Sequence, residues 1–273
     1  MTGNRGVAER IEIDGISFAY EDTGGEGPAV LFLHGLGGSA NGWLAQLRAC
    51  AERGWRGLAL DQRGAGRSDS PPGPYSIDLW AQDAERLLDA LAIERAALVG
   101  HSVGCMIGVS TAQRLVDRCW ALALCGGIES WPDAATEVFA QRVELARSGR
   151  GDEIAEAVAE AGLSARCRRE DPRLLGLMRE AIASCDGESY ARWAEATAKG
   201  RMDDLDALAV PLLAFCGSED PVTPAAASEA IAARVPKGAS AVVEGAAHWC
   251  MVEDPGATTK TLFAFLEAHA PGS

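Results

Sequence analysis

Six short, largely apolar runs dictate the layout of this chain: Ala29–Leu33, Gly57–Leu60, Ala96–Val99, Trp120–Leu124, Pro211–Cys216 and Ser240–Val243. A strand with one wet face alternates apolar and polar side chains, whereas these runs do not alternate, as expected for strands covered on both faces. Helical patterns lie between or after them, at Asn41–Arg53, Ile77–Ala92, Val103–Val116, Ala225–Arg234 and Pro255–His269. Two more strands, Arg10–Asp14 and Ser17–Glu21, form a hairpin turned by Asp14-Gly15. Strand and helix alternate, so the expected class is α/β, with a mostly parallel eight-stranded sheet flanked by helices. The stretch Ile128–Asp206 breaks the rhythm, because it holds several helix-like segments and no convincing strand. It is expected to be a helical cap (128–206) inserted between two core strands, with residues 1–127 and 207–273 forming the core.

Composition narrows the partners. Lys and Arg number 25 against 39 Asp and Glu, a net charge of −14, and no basic cluster offsets it. A phosphate backbone repels such a surface, which excludes nucleic acid as a ligand. No run approaches the roughly 20 apolar residues of a membrane helix, and residues 1–10 are polar with no signal-like apolar stretch. The eight cysteines are scattered without CxxC spacing. A cytoplasmic protein with buried, reduced thiols, no membrane association and no metal is the expectation.

The chemistry centres on Gly100-His101-Ser102-Val103-Gly104, which falls where the strand Ala96–Val99 gives way to a helix. A serine on that turn is the nucleophile-elbow arrangement, with flanking glycines leaving room for close backbone contacts. A hydroxyl at its ordinary pKa needs a base and an orienting acid, which follow the serine in chain order in such proteins. Of the four histidines, His34 ends a core strand, His101 adjoins the serine and His269 is in the tail. His248, in the loop after the last strand, is the candidate base. Asp220 follows Pro211–Cys216 and is the candidate acid, with Glu219 its nearest competitor; Thr223-Pro224 reads as an N-cap and first helical residue. The developing oxyanion would be held by the backbone N–H groups of Leu36 and Val103, a contribution of several kcal/mol.

His34-Gly35-Leu36-Gly37, Asp61–Ser68, Gly100–Gly104, Gly217–Asp220 and Ala247-His248 together resemble the α/β-hydrolase superfamily over roughly residues 10–268. Glu144–Gly149 and Gly187–Ala191 are similar to the cap of 3-oxoadipate enol-lactonases. The resemblance implies hydrolysis of an ester or lactone through an acyl-serine, without a cofactor, and a structural job for the Asp61–Ser68 loop. Other readings stay open. Gly35-Leu36-Gly37-Gly38-Ser39-Ala40 with Asp61 matches a dinucleotide fingerprint. The same triad also serves carbon–carbon hydrolases and enol-lactonases of aromatic-compound degradation, and a non-catalytic binding protein can use the same fold.

Trp131, Phe139 and Trp249 are candidates for lining a substrate pocket, whereas Trp43 and Trp193 read as packing. Cys125–Ala140 holds no Lys or Arg but has Glu129, Asp133 and Glu137. Desolvating a substrate carboxylate there costs several kcal/mol without a partner. A small, neutral, fairly apolar ester or lactone is therefore the expected substrate.

Overall fold

All six apolar runs are strands in the computed structural model, which describes residues 8–272. The polar N-terminal stretch lies, up to residue 7, outside the described residues. The sheet order is β1 (Glu9–Ile13), β2 (Ile16–Asp22), β4 (Arg56–Leu60), β3 (Ala29–Leu33), β5 (Ala96–His101), β6 (Cys119–Cys125), β7 (Leu212–Gly217), β8 (Gly238–Val243). Every pairing from β4 to β8 is parallel; β2 runs antiparallel to both its neighbours. Asp14 and Gly15 both sit at positive φ (50° and 77°), the twist that a two-residue hairpin turn needs.

Strand side chains alternate between two apolar layers. Val30, Phe32, Ala59 and Val99 face Leu47 of α1 (Leu44–Glu52) and Phe263 and Leu266 of α11 (Pro255–His269). Leu31, Leu33, Leu58, Leu60 and Leu98 face the other way. There they meet Trp80 and Leu87 of α2 (Ile77–Ala90), Ile107 of α3 (Val103–Arg114) and Ile231 of α9 (Ala225–Arg234). This two-faced burial explains why the runs in β3 to β7 are unbroken; the expectation of two covered faces fails for β8, which is the sheet edge and largely exposed.

Boundaries differ in places from the sequence expectation. The helix expected over Asn41–Arg53 splits into a 3₁₀ turn, Ala40–Trp43, and α1, because Trp43 adopts φ −109°, ψ 9° rather than helical angles. Helix α9 begins at Ala225 with Pro224 as its N-cap, one residue later than Thr223-Pro224 suggested, because the Thr223 hydroxyl is engaged elsewhere. Between β6 and β7 come α4 (Asp133–Arg147), α5 (Gly151–Gly162), α6 (Ala165–Glu170), α7 (Pro172–Ala183) and α8 (Gly187–Ala198). The four-residue α10 (Cys250–Glu253) precedes α11. No described helix is long and apolar enough to cross a membrane.

The loop after β4 ties β2 to the end of β4. Ser68 Oγ accepts from the Ala19 N–H at 2.8 Å and donates to the Asp61 carbonyl. Arg63 meets the buried Asp83 carboxylate at 2.5 Å through two nitrogens. All eight cysteines are free thiols; seven are buried and Cys185 is half-buried.

Candidate active site

The residues singled out in the sequence gather at the carboxyl ends of the parallel strands, where open α/β sheets place their crevices. Ser102 stands between β5 and α3 at φ 55°, ψ −123°, a left-handed conformation that costs a non-glycine residue energy. The turn is tight enough that a Cβ on Gly100 would strike the Gly104 carbonyl. Ser102 N–H is tied to the Cys125 carbonyl at 3.0 Å, which holds the elbow against β6. Among the described residues, the Ser102 hydroxyl makes no hydrogen bond.

The loop after β3 presses close: a Cβ on Gly35 would lie 3.0 Å from Ser102 Cβ. His34 holds that loop. Its Nε2 accepts from the Gln62 N–H at 3.1 Å, so the ring proton is on Nδ1, which donates to the Gly35 carbonyl at 2.8 Å. Burial lowers the His34 pKa and keeps the ring neutral for this role. The N–H groups of Leu36 and Val103 meet no acceptor among the described residues. Both adjoin Ser102.

Asp220 and His248 meet directly, with Nδ1 donating to Asp220 Oδ2 at 2.8 Å. Asp220 also accepts from the N–H groups of Val222 and Thr223, each at 2.8 Å, and from the Thr223 hydroxyl at 2.7 Å. Burial alone would raise the Asp220 carboxyl, but His248 and the Thr223 donors outweigh it and the pKa is lowered. Glu219, the competing acid, is exposed and reaches neither residue. His101 approaches from the other side. Its Nε2 lies 3.0 Å from the His248 carbonyl, and since a carbonyl only accepts, His101 carries its proton there. Burial, aided by the neighbouring His248, lowers the His101 pKa to about 3, so the ring is neutral. Sequence reasoning missed Thr223 and His101 as partners of His248. The adjacency of His101 to Ser102 was visible; the carbonyl it meets, 147 positions on, was not.

The loop bearing His248 is anchored to helices from the segment between β6 and β7. Trp249 N–H donates to the Gly162 carbonyl at the end of α5 at 2.9 Å. The Glu253 carboxylate accepts from the N–H groups of Ala247 and Ser164, each at 3.0 Å.

Ser102 and His248 line one narrow cavity of about 50 Å³, together with Leu36, Trp131, Phe139, Val158, Thr197 and Trp249. The three aromatic candidates thus share a wall, with Trp131 edge-on to Phe139 at 5.2 Å. Trp43 and Trp193 are buried in packing, as expected. Arg142 of α4, just beyond the cation-free stretch Cys125–Ala140, also lines the cavity, its guanidinium carbon 5.8 Å from the Phe139 ring centre. Helical geometry carries the side chain three residues after Phe139 back to the same face.

The dinucleotide reading is corrected by Asp61, whose carboxylate is consumed inside the fold. It accepts from the Ala40 N–H at 2.7 Å and from Arg67 Nε at 2.7 Å, leaving nothing to meet a ribose.

The chain is 30% identical over 261 residues to a putative carbamate hydrolase, RutD, of Caulobacter segnis, spanning 93% of this chain and 97% of that protein. It is 27% identical to 3-oxoadipate enol-lactonase 2 of Acinetobacter baylyi, covering 96% of this chain and 95% of the relative. Among solved structures, a thermophilic esterase from Thermogutta terrifontis superposes with TM-score 0.89 at 28% identity, over 96% of this chain and all of that one. The enol-lactonase of Burkholderia xenovorans LB400 superposes with TM-score 0.88 at 29% identity, over 95% of this chain and all of that one. Residues 28–255 match the family described as the alpha/beta hydrolase fold. Sheet order, elbow and sequence agree, and the chain belongs to the α/β-hydrolase fold family.

Proposed function

We propose that the protein hydrolyses a small carboxylic ester or lactone through an acyl-serine intermediate, with Ser102 as nucleophile, His248 as base and Asp220 as orienting acid. The observation that carries this reading is the Asp220–His248 contact opening on the same cavity as a serine held at φ 55°. In the acylation step Ser102 Oγ bonds to the acyl carbon while its proton passes to His248 Nε2. The carbonyl electron pair moves to oxygen, where the Leu36 and Val103 N–H groups receive it. Collapse of the tetrahedral species expels the alkoxide, which takes the proton from His248. Water then repeats the sequence and releases the acid. Asp220 stays ionised, holding the imidazole in its Nδ1–H tautomer and stabilising the imidazolium. The missing Ser102–His248 hydrogen bond is compatible with this role, because such bonds often tighten only when substrate is bound.

Residues 128–206 would act as the cap over a core of residues 1–127 and 207–273. In support, β6 and β7 pair directly while the chain between them supplies Phe139, Arg142, Val158 and Thr197 to the cavity. The narrow cavity favours a small acyl group, and the relatives named as lactonase, esterase and carbamate hydrolase all fit cleavage at an acyl carbon. The test is an alkyl fluorophosphonate followed by peptide mapping, with turnover of a panel of esters, lactones, carbamates and dienoic ketones. Stoichiometric labelling at Ser102 with ester or lactone turnover is expected. Labelling elsewhere, or hydrolysis that survives in Ser102→Ala, would overturn the assignment.

A further inference from the structure

Eight described arginines are buried or half-buried, and seven of them have an oxygen partner. Arg56, Arg63, Arg118, Arg179, Arg192 and Arg234 pair with carboxylates, and Arg168 donates to the Glu160 carbonyl. Arg142 is the exception: no carboxylate or carbonyl among the described residues meets it, and it lines the cavity of Ser102 and His248. Its polar neighbour is the Tyr190 hydroxyl, which burial pushes up to about 12 while the Arg142 cation pulls against the rise. Two further polar atoms in the same wall lack partners. Trp131 Nε1 and Thr197 Oγ1 are both shut off from solvent with no hydrogen bond, and Thr197 is 1% exposed. A buried donor left unpaired carries a desolvation penalty that folded proteins ordinarily avoid. Here a cation lines the space beside Ser102 and His248, and no Asp or Glu is among the residues lining it.

From this we infer that the substrate carries a carboxylate, received by Arg142. The inference rests on the reading of Ser102 as the hydrolytic nucleophile for the position of the scissile bond, and it reverses the expectation of a neutral substrate. The half-buried Arg142 guanidinium, 5.8 Å from the Phe139 ring centre, has no carboxylate partner among the described residues to displace, so an incoming carboxylate meets an unpaired cation. A neutral group of the same size leaves it unpaired.

The experiment compares monomethyl succinate with dimethyl succinate, which share an acyl skeleton and differ by one charge. In Arg142→Met the ratio of kcat/KM for the monoester to that for the diester should fall by about 10- to 100-fold, the range of one charge-assisted contact. Arg142→Lys should restore part of it. A ratio unchanged within about threefold, with both substrates turned over, overturns the carboxylate site and leaves the hydrolase reading intact. Calorimetric binding of monomethyl succinate to Ser102→Ala, with and without Arg142→Met, separates the two ideas. Binding lost only with Arg142→Met supports the carboxylate site even if no substrate is turned over, in which case the proposed chemistry is what fails. Equal binding in both overturns the site.

Discussion

The His101 ring stands 4.8 Å from the His248 ring and donates to the backbone carbonyl of the same residue at 3.0 Å. One histidine thus holds the other by its main chain, and burial keeps its ring uncharged. Its pKa, lowered to about 3 mainly by burial, lies below the ordinary value near 6.5. The folded state therefore binds fewer protons than the unfolded state between those pH values. The stability from neutral His101 is complete above about pH 6.5 and is lost as pH falls toward 3, at about 1.4 kcal/mol per pH unit. Melting temperature should drop steeply from pH 6.5 to 4.5, and less steeply in His101→Gln. Parallel curves for the two proteins would refute the account.

Thr223 donates its hydroxyl to Asp220 Oδ2, the oxygen that faces His248. Thr223→Val removes that donor at nearly constant volume and leaves the carboxylate under-satisfied. A loss of about 1 kcal/mol in stability is expected, with a fall of roughly tenfold in kcat/KM. Asp220→Asn should be far more damaging, about 10³- to 10⁴-fold in kcat, because the tautomer itself is lost. Urea melts and initial rates on one ester measure both.

Ser102 at φ 55° is strained in a way that glycine is not. Ser102→Gly should eliminate turnover and match or exceed the wild-type melting temperature, since relief of about 1–3 kcal/mol outweighs glycine's extra chain entropy. Ser102→Ala keeps the Cβ and should be no more stable than Ser102→Gly. A calorimetric scan that ranks them the other way would remove the strain argument.

The buried Arg63–Asp83 pair makes a prediction about the fold alone. Burial raises the Asp83 carboxyl more than Arg63 lowers it, so this carboxylate is poorly placed to stand alone. Arg63→Met should cost about 3–5 kcal/mol, and adding Asp83→Leu should recover much of the loss. Denaturant unfolding of the single and double variants tests it.

Legibility from the sequence follows what local physics can see. The strands β3 and β5 are obvious because both faces are covered, whereas the start of β8 is hidden because Gly238 and Ala239 are small and exposed at the sheet edge. Ser102, Asp220 and His248 stand out by chain order and turn context. Thr223 misleads because a threonine before a helix has two jobs available, and Asp220 claims it here. Arg142 stands in the sequence just beyond the cation-free stretch Cys125–Ala140, but nothing in residues 133–147 says which face of α4 turns toward the sheet. Its packing against α8 decides that.

The anchoring of the His248 loop to the end of α5 couples two events that are easily imagined as separate. If α5 and α6 swung outward as a rigid unit to admit a ligand, Gly162 and Ser164 would pull on Trp249 and Glu253, and the imidazole would leave its register with Asp220. Admission by helix swing and proton transfer would then exclude each other in time. The resting geometry is the one that holds the imidazole on Asp220, and only a route that leaves the backbone around Trp249 and Glu253 in place preserves it.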